Sequence, residues 1–237
     1  SATFKQTSKI REDLVNIDPE NYLLAKGPSQ RMSAEMIRDN ALKVSGLLVP
    51  KIGGKSVYPY QPSGLWDLSD KSWRYRYQHD KDENLYRRSL YTFWKRSAPP
   101  PSMLIFDTPN RDLCSVKRTL TSSPLQALLL LNDPQFIEAA RVMAENSILS
   151  KEKSIDKKLS TLFREIIGRT IRDGELEILL RFYNEEKEKF SKNQSKAIAY
   201  LKTGEKPMNS DIEVVNMAAL ATVISGMMNT AEAITIN

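Results

Sequence analysis

Apolar residues recur three and four apart along much of the chain, the spacing that lays one stripe on an α-helix. Ile37, Ala41, Val44 and Leu48 follow Ser33, a residue able to cap a first turn, and predict a helix from about 34 to 49 that Gly53 and Gly54 stop. Ser123, Pro124 and Gln126 supply an N-cap, a first-turn proline and a capping-box glutamine for a helix through LQALLLL. Asp133 and Pro134 repeat the signal at once. A second helix from about 134 to 149 is expected, with Phe136, Ile137, Ala140, Met143 and Ala144 inward. Ile155, Leu159, Leu162, Phe163, Ile166 and Ile167 predict another, ended by Gly168, and Leu176, Leu179, Leu180, Tyr183 and Phe190 one from about 173 to 191. These two are expected to form an antiparallel hairpin. A short helix around 194 to 202 ends at Gly204, and Ser210 with Glu213 reads as a capping box opening a last helix. Its inward Val214, Met217, Ala218, Ala221, Ile224 and Met228 read as core rather than as a ligand pocket.

Elsewhere the period fails. Residues 1–32 are an extended lead-in with at most short helices. From Pro50 to Lys81, Gly53, Gly54, Pro59, Pro62 and Gly64 interrupt the chain while Tyr58, Tyr60, Trp66, Trp73, Tyr75 and Tyr77 stud it, so a long loop held by its aromatics is predicted. Residues 84–96 fit a helix or a buried strand, with the balance toward helix; Pro99–Pro101 suggest a polyproline II spacer, and MLIF a strand or extended segment. The fold class is therefore mainly α: a helical array with a long aromatic and proline-rich irregular insertion and at most a minor β element. Residues 1–150 read as a helical domain carrying that loop, and 151–237 as a helical hairpin with the last helix packed on it. One continuous domain is an equal alternative.

Composition narrows the chemistry. The net charge of +6 arises from 35 basic residues interspersed with 29 acidic ones, so a mixed surface is favoured over a nucleic-acid groove. Cys114 is the only cysteine, which excludes an intrachain disulfide and a thiolate metal cluster. No apolar run approaches the roughly 20 residues that cross a bilayer, and no transmembrane segment is expected. His79, the only histidine, lies in HDKDEN, but Leu85 and Tyr91 occupy the glycine and glutamate positions of a calcium loop. Neither a metal set nor a nucleophile with an adjacent base is visible, and no catalytic residue is assigned.

Candidate ligand-binding residues are Trp66, Trp73, Tyr77 and Trp94, whose rings can stack on sugars or anchor the loop. Arg87, Arg88 and Arg96 join them. Such guanidinium forks can take carboxylate, sulfate or phosphate, or else pin Asp107, Asp112 and loop carbonyls. Asp80, Asp82, Glu83, Asp107 and Asp112 could supply the carboxylate pair of a glycoside hydrolase if two of them converged.

The segments SATFKQTS, SAEMIRDNAL, GGKSVYPYQPSGLW, LYRRSLYTFWKRSAPPPSMLIFD and TSSPLQALLLLNDPQFIEAA resemble the planctomycete-specific C-terminal domain (domain of unknown function 1553) of large secreted bacterial proteins. The resemblance spans almost the whole chain. It implies an extracytoplasmic bacterial location, an upstream cytochrome-like domain as partner, and a chain, opening on SATFKQTSK without an initiator Met, that is part of a longer protein. The family brings no catalytic residues. Covalent haem attachment needs two thiols, so no cofactor is expected in this chain. The expected function is a non-catalytic scaffold or binding module with a glycan or protein ligand; the alternative is a partial active site, polysaccharide-related or redox, completed by an upstream domain.

Overall fold

The computed structural model describes residues 6–9, 11–27, 29–66 and 77–236. Ten helices are found among them: α1 Glu12–Ile17, α2 Ala34–Val44, α3 Asp82–Leu85, α4 Pro101–Ile105, α5 Pro124–Asn132, α6 Pro134–Leu149, α7 Ile155–Ile167, α8 Asp173–Lys192, α9 Gln194–Leu201 and α10 Val214–Met228. The β content among the described residues is one antiparallel pair of two-residue strands, β1 Gln30–Arg31 with β2 Thr235–Ile236, in which Gln30 faces Ile236. The chain is mainly helical, as its periodicity predicts.

α6 is the shared wall. Its Phe136, Ala139 and Val142 pack in one apolar cluster with α2, α4 and α5, and its Ala140, Met143 and Ala144 in another with α7 to α10. α10 lies against it, and Ala139, Ala140 and Ala144 of α6 and Ala218, Ala219 and Ala221 of α10 are wholly buried. Small side chains let the two backbones approach closely, while Met217, Leu220 and Ile224 fill the flanks. Each such large apolar side chain contributes about 1.5–3 kcal/mol when fully buried.

Caps set several boundaries. Ser33 Oγ accepts from Met36 N, Asp133 accepts from Gln135 N, and Ser123 with Gln126 closes its capping box. The predicted end of α2 is corrected. The helix stops at Val44, because Gly46 takes φ +77 and both Leu47 N and Leu48 N turn back to Leu42 O. Residues 84–96, open between helix and buried strand with the balance toward helix, form neither throughout: they hold the end of α3, one 3₁₀ turn at Ser89–Tyr91, and two isolated parallel bridges, Val49 to Arg87 and Val57 to Thr92. The extended reading of MLIF also fails: Pro101 occupies the first turn of α4, where its missing N–H costs nothing. Glu213, rather than Ser210, caps α10 by accepting from Val215 N and Asn216 N.

The α7–α8 hairpin turns at Gly168, whose φ is +84. Arg169 then grips Glu175 at 2.7 and 2.8 Å and Glu232 at 2.6 and 3.1 Å, tying this turn to the end of the chain. The Arg169 fork, with Arg172 N donating at 2.9 Å, lowers the Glu175 carboxyl from 4.5 to about 2. A carboxylate held down in the folded state adds stability above its unfolded pKa and loses it on acidification. Urea midpoints of the wild type and Glu175→Gln are therefore expected to differ at neutral pH and to converge between about pH 4.5 and 2. A difference that did not change over that window would contradict this assignment.

Candidate functional site

The described aromatic residues gather around a short pairing of two stretches. Val57 N donates to Tyr91 O and Phe93 N to Val57 O, each at 2.8 Å, which lays residues 57–59 beside 91–93. Tyr58 stacks on Phe93 at 5.0 Å, and Trp66 meets Tyr77 edge-on at 5.0 Å and Phe93 at 5.7 Å. Trp66 is only 6% exposed, with Lys95 Nζ 4.6 Å over its ring. The Tyr77 hydroxyl donates to Pro59 O, and burial, then the Asp80 carboxylate, raises its pKa above the usual value. Trp94 stands apart and half-buried, its Nε1 donating to Asn110 O at 3.0 Å and Arg111 lying 4.6 Å over its ring. Trp73 lies outside the described residues.

Arg87 is buried and donates to Lys51 O, Gly53 O and Lys55 O, while its guanidinium lies 4.2 Å over Tyr91. Irregular backbone leaves carbonyls without ladder partners, and one planar fork supplies three of them. Arg88 and Arg96 are exposed. Arg38, which periodicity did not single out, is buried and bonds Leu85 O and Arg87 O at 2.7 Å, Gln135 Oε1 at 2.7 Å and Ser89 Oγ at 3.2 Å. Burial lowers it to about 10, opposed by Asp39 and Asp133. The candidate carboxylates are engaged separately: Asp80 with Tyr58 N, Glu83 with Lys51, and Asp107 with Arg31 and Thr121. Asp82 and Asp112 are exposed.

A second centre lay hidden in α6. Glu138 is wholly buried and accepts from Tyr60 Oη at 3.1 Å, Tyr86 Oη at 2.9 Å and Lys206 N at 2.7 Å. Arg141, also wholly buried, lies 3.9 Å from Glu138 and donates to Lys206 O at 2.7 Å, so the Lys206 residue is held at both its N–H and its C=O. Tyr60 Oη in turn accepts from Glu205 N at 2.7 Å. Burial and the Glu138 charge raise the pKa of both tyrosines, keeping them as donors. Gly204, with φ +98, passes so close that a Cβ would sit 2.4 Å from Glu138 Cδ.

Above this centre opens an apolar groove of about 560 Å³, walled by Tyr60, Pro62, Ile105, Leu125, Leu128 and Leu129. Leu125 and Leu128, on the outer face of α5, are 53% and 56% exposed. At one edge His79 Nε2 is 2.8 Å from Glu205 Oε1 and its ring is 5.1 Å from that of Tyr60. Asp133 also lines the groove, and burial raises its carboxyl above the ordinary pKa. No three or more His, Cys, Asp or Glu side chains converge as a metal set among the described residues, and no helix of the described residues is long and apolar enough to cross a membrane.

A mainly helical scaffold that spends buried guanidinium groups on loop backbone and leaves an apolar groove open defines a structural class rather than a reaction. The chain belongs to the PSD1 family, proteins of unknown function (DUF1553), whose model matches residues 1–183. No match is found among curated proteins or among solved structures. The unmatched residues from 184 onward include α9 and α10, so part of the core beside α6 is built from them.

Deleting a buried acceptor costs about 1–3 kcal/mol for each donor left unsatisfied, and forcing a methyl into packed surroundings costs about 1–3 kcal/mol. Urea unfolding of Glu138→Ala and Gly204→Ala is expected to show losses of these sizes. Losses below about 0.5 kcal/mol, the range of neutral surface changes, would rule out a structural centre at Glu138.

Proposed function

We propose that this chain is a non-catalytic docking module of a larger extracytoplasmic bacterial protein, and that its groove takes an apolar protein segment, supplied by the upstream domain that the family resemblance implies. The observation that carries this reading is the distribution of exposed apolar side chains. Among the described residues, fifteen of the eighteen exposed large hydrophobics lie before residue 132, and Leu125 and Leu128 line the groove. A groove lined by exposed aliphatic side chains favours a protein partner. A glycan platform needs open ring faces, and Trp66 and Tyr77 are packed edge-on against each other beside Tyr58 and Phe93, with Lys95 over the Trp66 ring. One observation favours a second reading, a half-site completed by another domain: the His79 and Glu205 pair at the groove edge has the arrangement of a base with its orienting carboxylate.

Calorimetric titration of the chain with the separately produced upstream domain tests the first reading, with neutral and sulfated oligosaccharides as parallel titrants. The upstream domain is expected to bind and Leu128→Glu to weaken it by about tenfold or more, the equivalent of one leucine withdrawn from an apolar contact. Binding of an oligosaccharide that Leu128→Glu leaves unchanged would overturn it. Turnover by the combined domains that is lost in His79→Gln while docking persists would establish the second reading.

A further inference from the structure

The connection from α4 to α5 carries a surface separate from the groove. Residues 110–122 are exposed without interruption, yet the segment is fastened along its length. Trp94 Nε1 holds Asn110 O at 3.0 Å, Arg118 grips both oxygens of Glu35 at 2.8 and 3.1 Å, and Thr121 donates N–H and O–H to Asp107 at 2.9 and 2.8 Å. Asp107 is itself held by Arg31. Between these fastenings Leu113 is 84% exposed and Val116 is fully exposed. Both stand away from the body of the protein. Arg111, Lys117 and Arg118 flank them against one acid, Asp112.

We propose that this arm docks the protein on an anionic bilayer, with Leu113 and Val116 entering the headgroup boundary and Arg111 and Lys117 meeting lipid phosphates. Two aliphatic side chains that project from the surface complement a medium that yields to a wedge, and flanking cations complement its charge. A folded protein partner would need a socket shaped to them. The nearby Trp94 ring, beneath Arg111, belongs to the residue type enriched at membrane interfaces. Fixing the arm at Asn110, Arg118 and Thr121 presents the wedge without ordering it on contact, which raises affinity by removing an entropic cost. The surface binds from one side and requires no spanning segment.

The test uses sedimentation of the whole chain with vesicles of phosphatidylcholine alone and of phosphatidylcholine mixed with phosphatidylglycerol. Cys114, the only cysteine, lies beside the wedge and is exposed, so a polarity-sensitive fluorophore attached there reports insertion independently. The chain is expected to sediment with the anionic vesicles alone and the label to shift to the blue. Leu113→Asp combined with Val116→Asp should abolish both signals, and Lys117→Glu should weaken binding about fivefold or more, from the contribution of one cation near such a surface. These side chains are solvated in the free protein, so circular dichroism of the variants should match the parent. Sedimentation with neither vesicle would overturn the proposal in favour of an acidic protein surface as partner. Sedimentation unchanged in the double variant would overturn it too.

Discussion

The constraint on which this structure depends is the solvation of one buried carboxylate. Removing Glu138 from water costs several kcal/mol unless its oxygens find donors. Those donors come from three separate stretches: Tyr60 in the proline-rich loop, Tyr86 at the end of α3, and Lys206 N between α9 and α10. Loops that would otherwise lie loosely over α6 are thereby joined to it. Arg141 completes the arrangement by taking Lys206 O, and Gly204 is required because any side chain there would collide with the carboxylate. The groove wall at Tyr60 stands where it does because its hydroxyl bridges Glu138 and Glu205 N.

Two buried guanidinium groups do for the rest of the irregular region what a sheet would do elsewhere. Arg87 and Arg38 together satisfy carbonyls of Lys51, Gly53, Lys55, Leu85 and Arg87 that have no ladder to join. A proline-rich segment with φ fixed at several positions can be rigid at low entropic cost, but only if its carbonyls are met. The aromatic rings add apolar burial to that frame. Polar satisfaction and ring packing thus engage Trp66, Tyr77 and Arg87, while Arg88 and Arg96 stay exposed, as do the aliphatic face of α5 and the arm before it.

The helical part was legible because periodicity and caps are local. Ser33, Ser123, Asp133 and Gly168 each act within one turn, and the structure places each at a helix end. α2 ended early because Gly46 adopted the left-handed conformation, a choice that Leu48 at helical spacing concealed. Residues 84–96 defeated a local reading because their conformation is set by bridges to Val49 and Val57 and by Arg38 from another helix. Arg87 as a pin for loop carbonyls was one of two readings of its chemistry; its acceptors proved to be Lys51, Gly53 and Lys55 rather than the carbonyls that follow it. The Glu138 centre carried no sequence signal at all. A glutamate three residues before an arginine is the ordinary pattern of a solvated helix face, and only the approach of Tyr60, Tyr86 and Lys206 from distant positions makes it interior.

Anchoring through Glu138, Arg38 and Arg87 makes the described part of the aromatic and proline-rich loop a rigid support, and that rigidity fixes the groove wall at Tyr60 and Pro62. Native-state hydrogen exchange tests it most directly. The amides of Val57, Tyr58, Phe93, Glu205 and Lys206 all have protein acceptors, at Tyr91 O, Asp80, Val57 O, Tyr60 and Glu138 respectively. These amides are expected to exchange as slowly as those in the middle of α6. Exchange at the rate of free peptide in these positions, with α6 still protected, would contradict it.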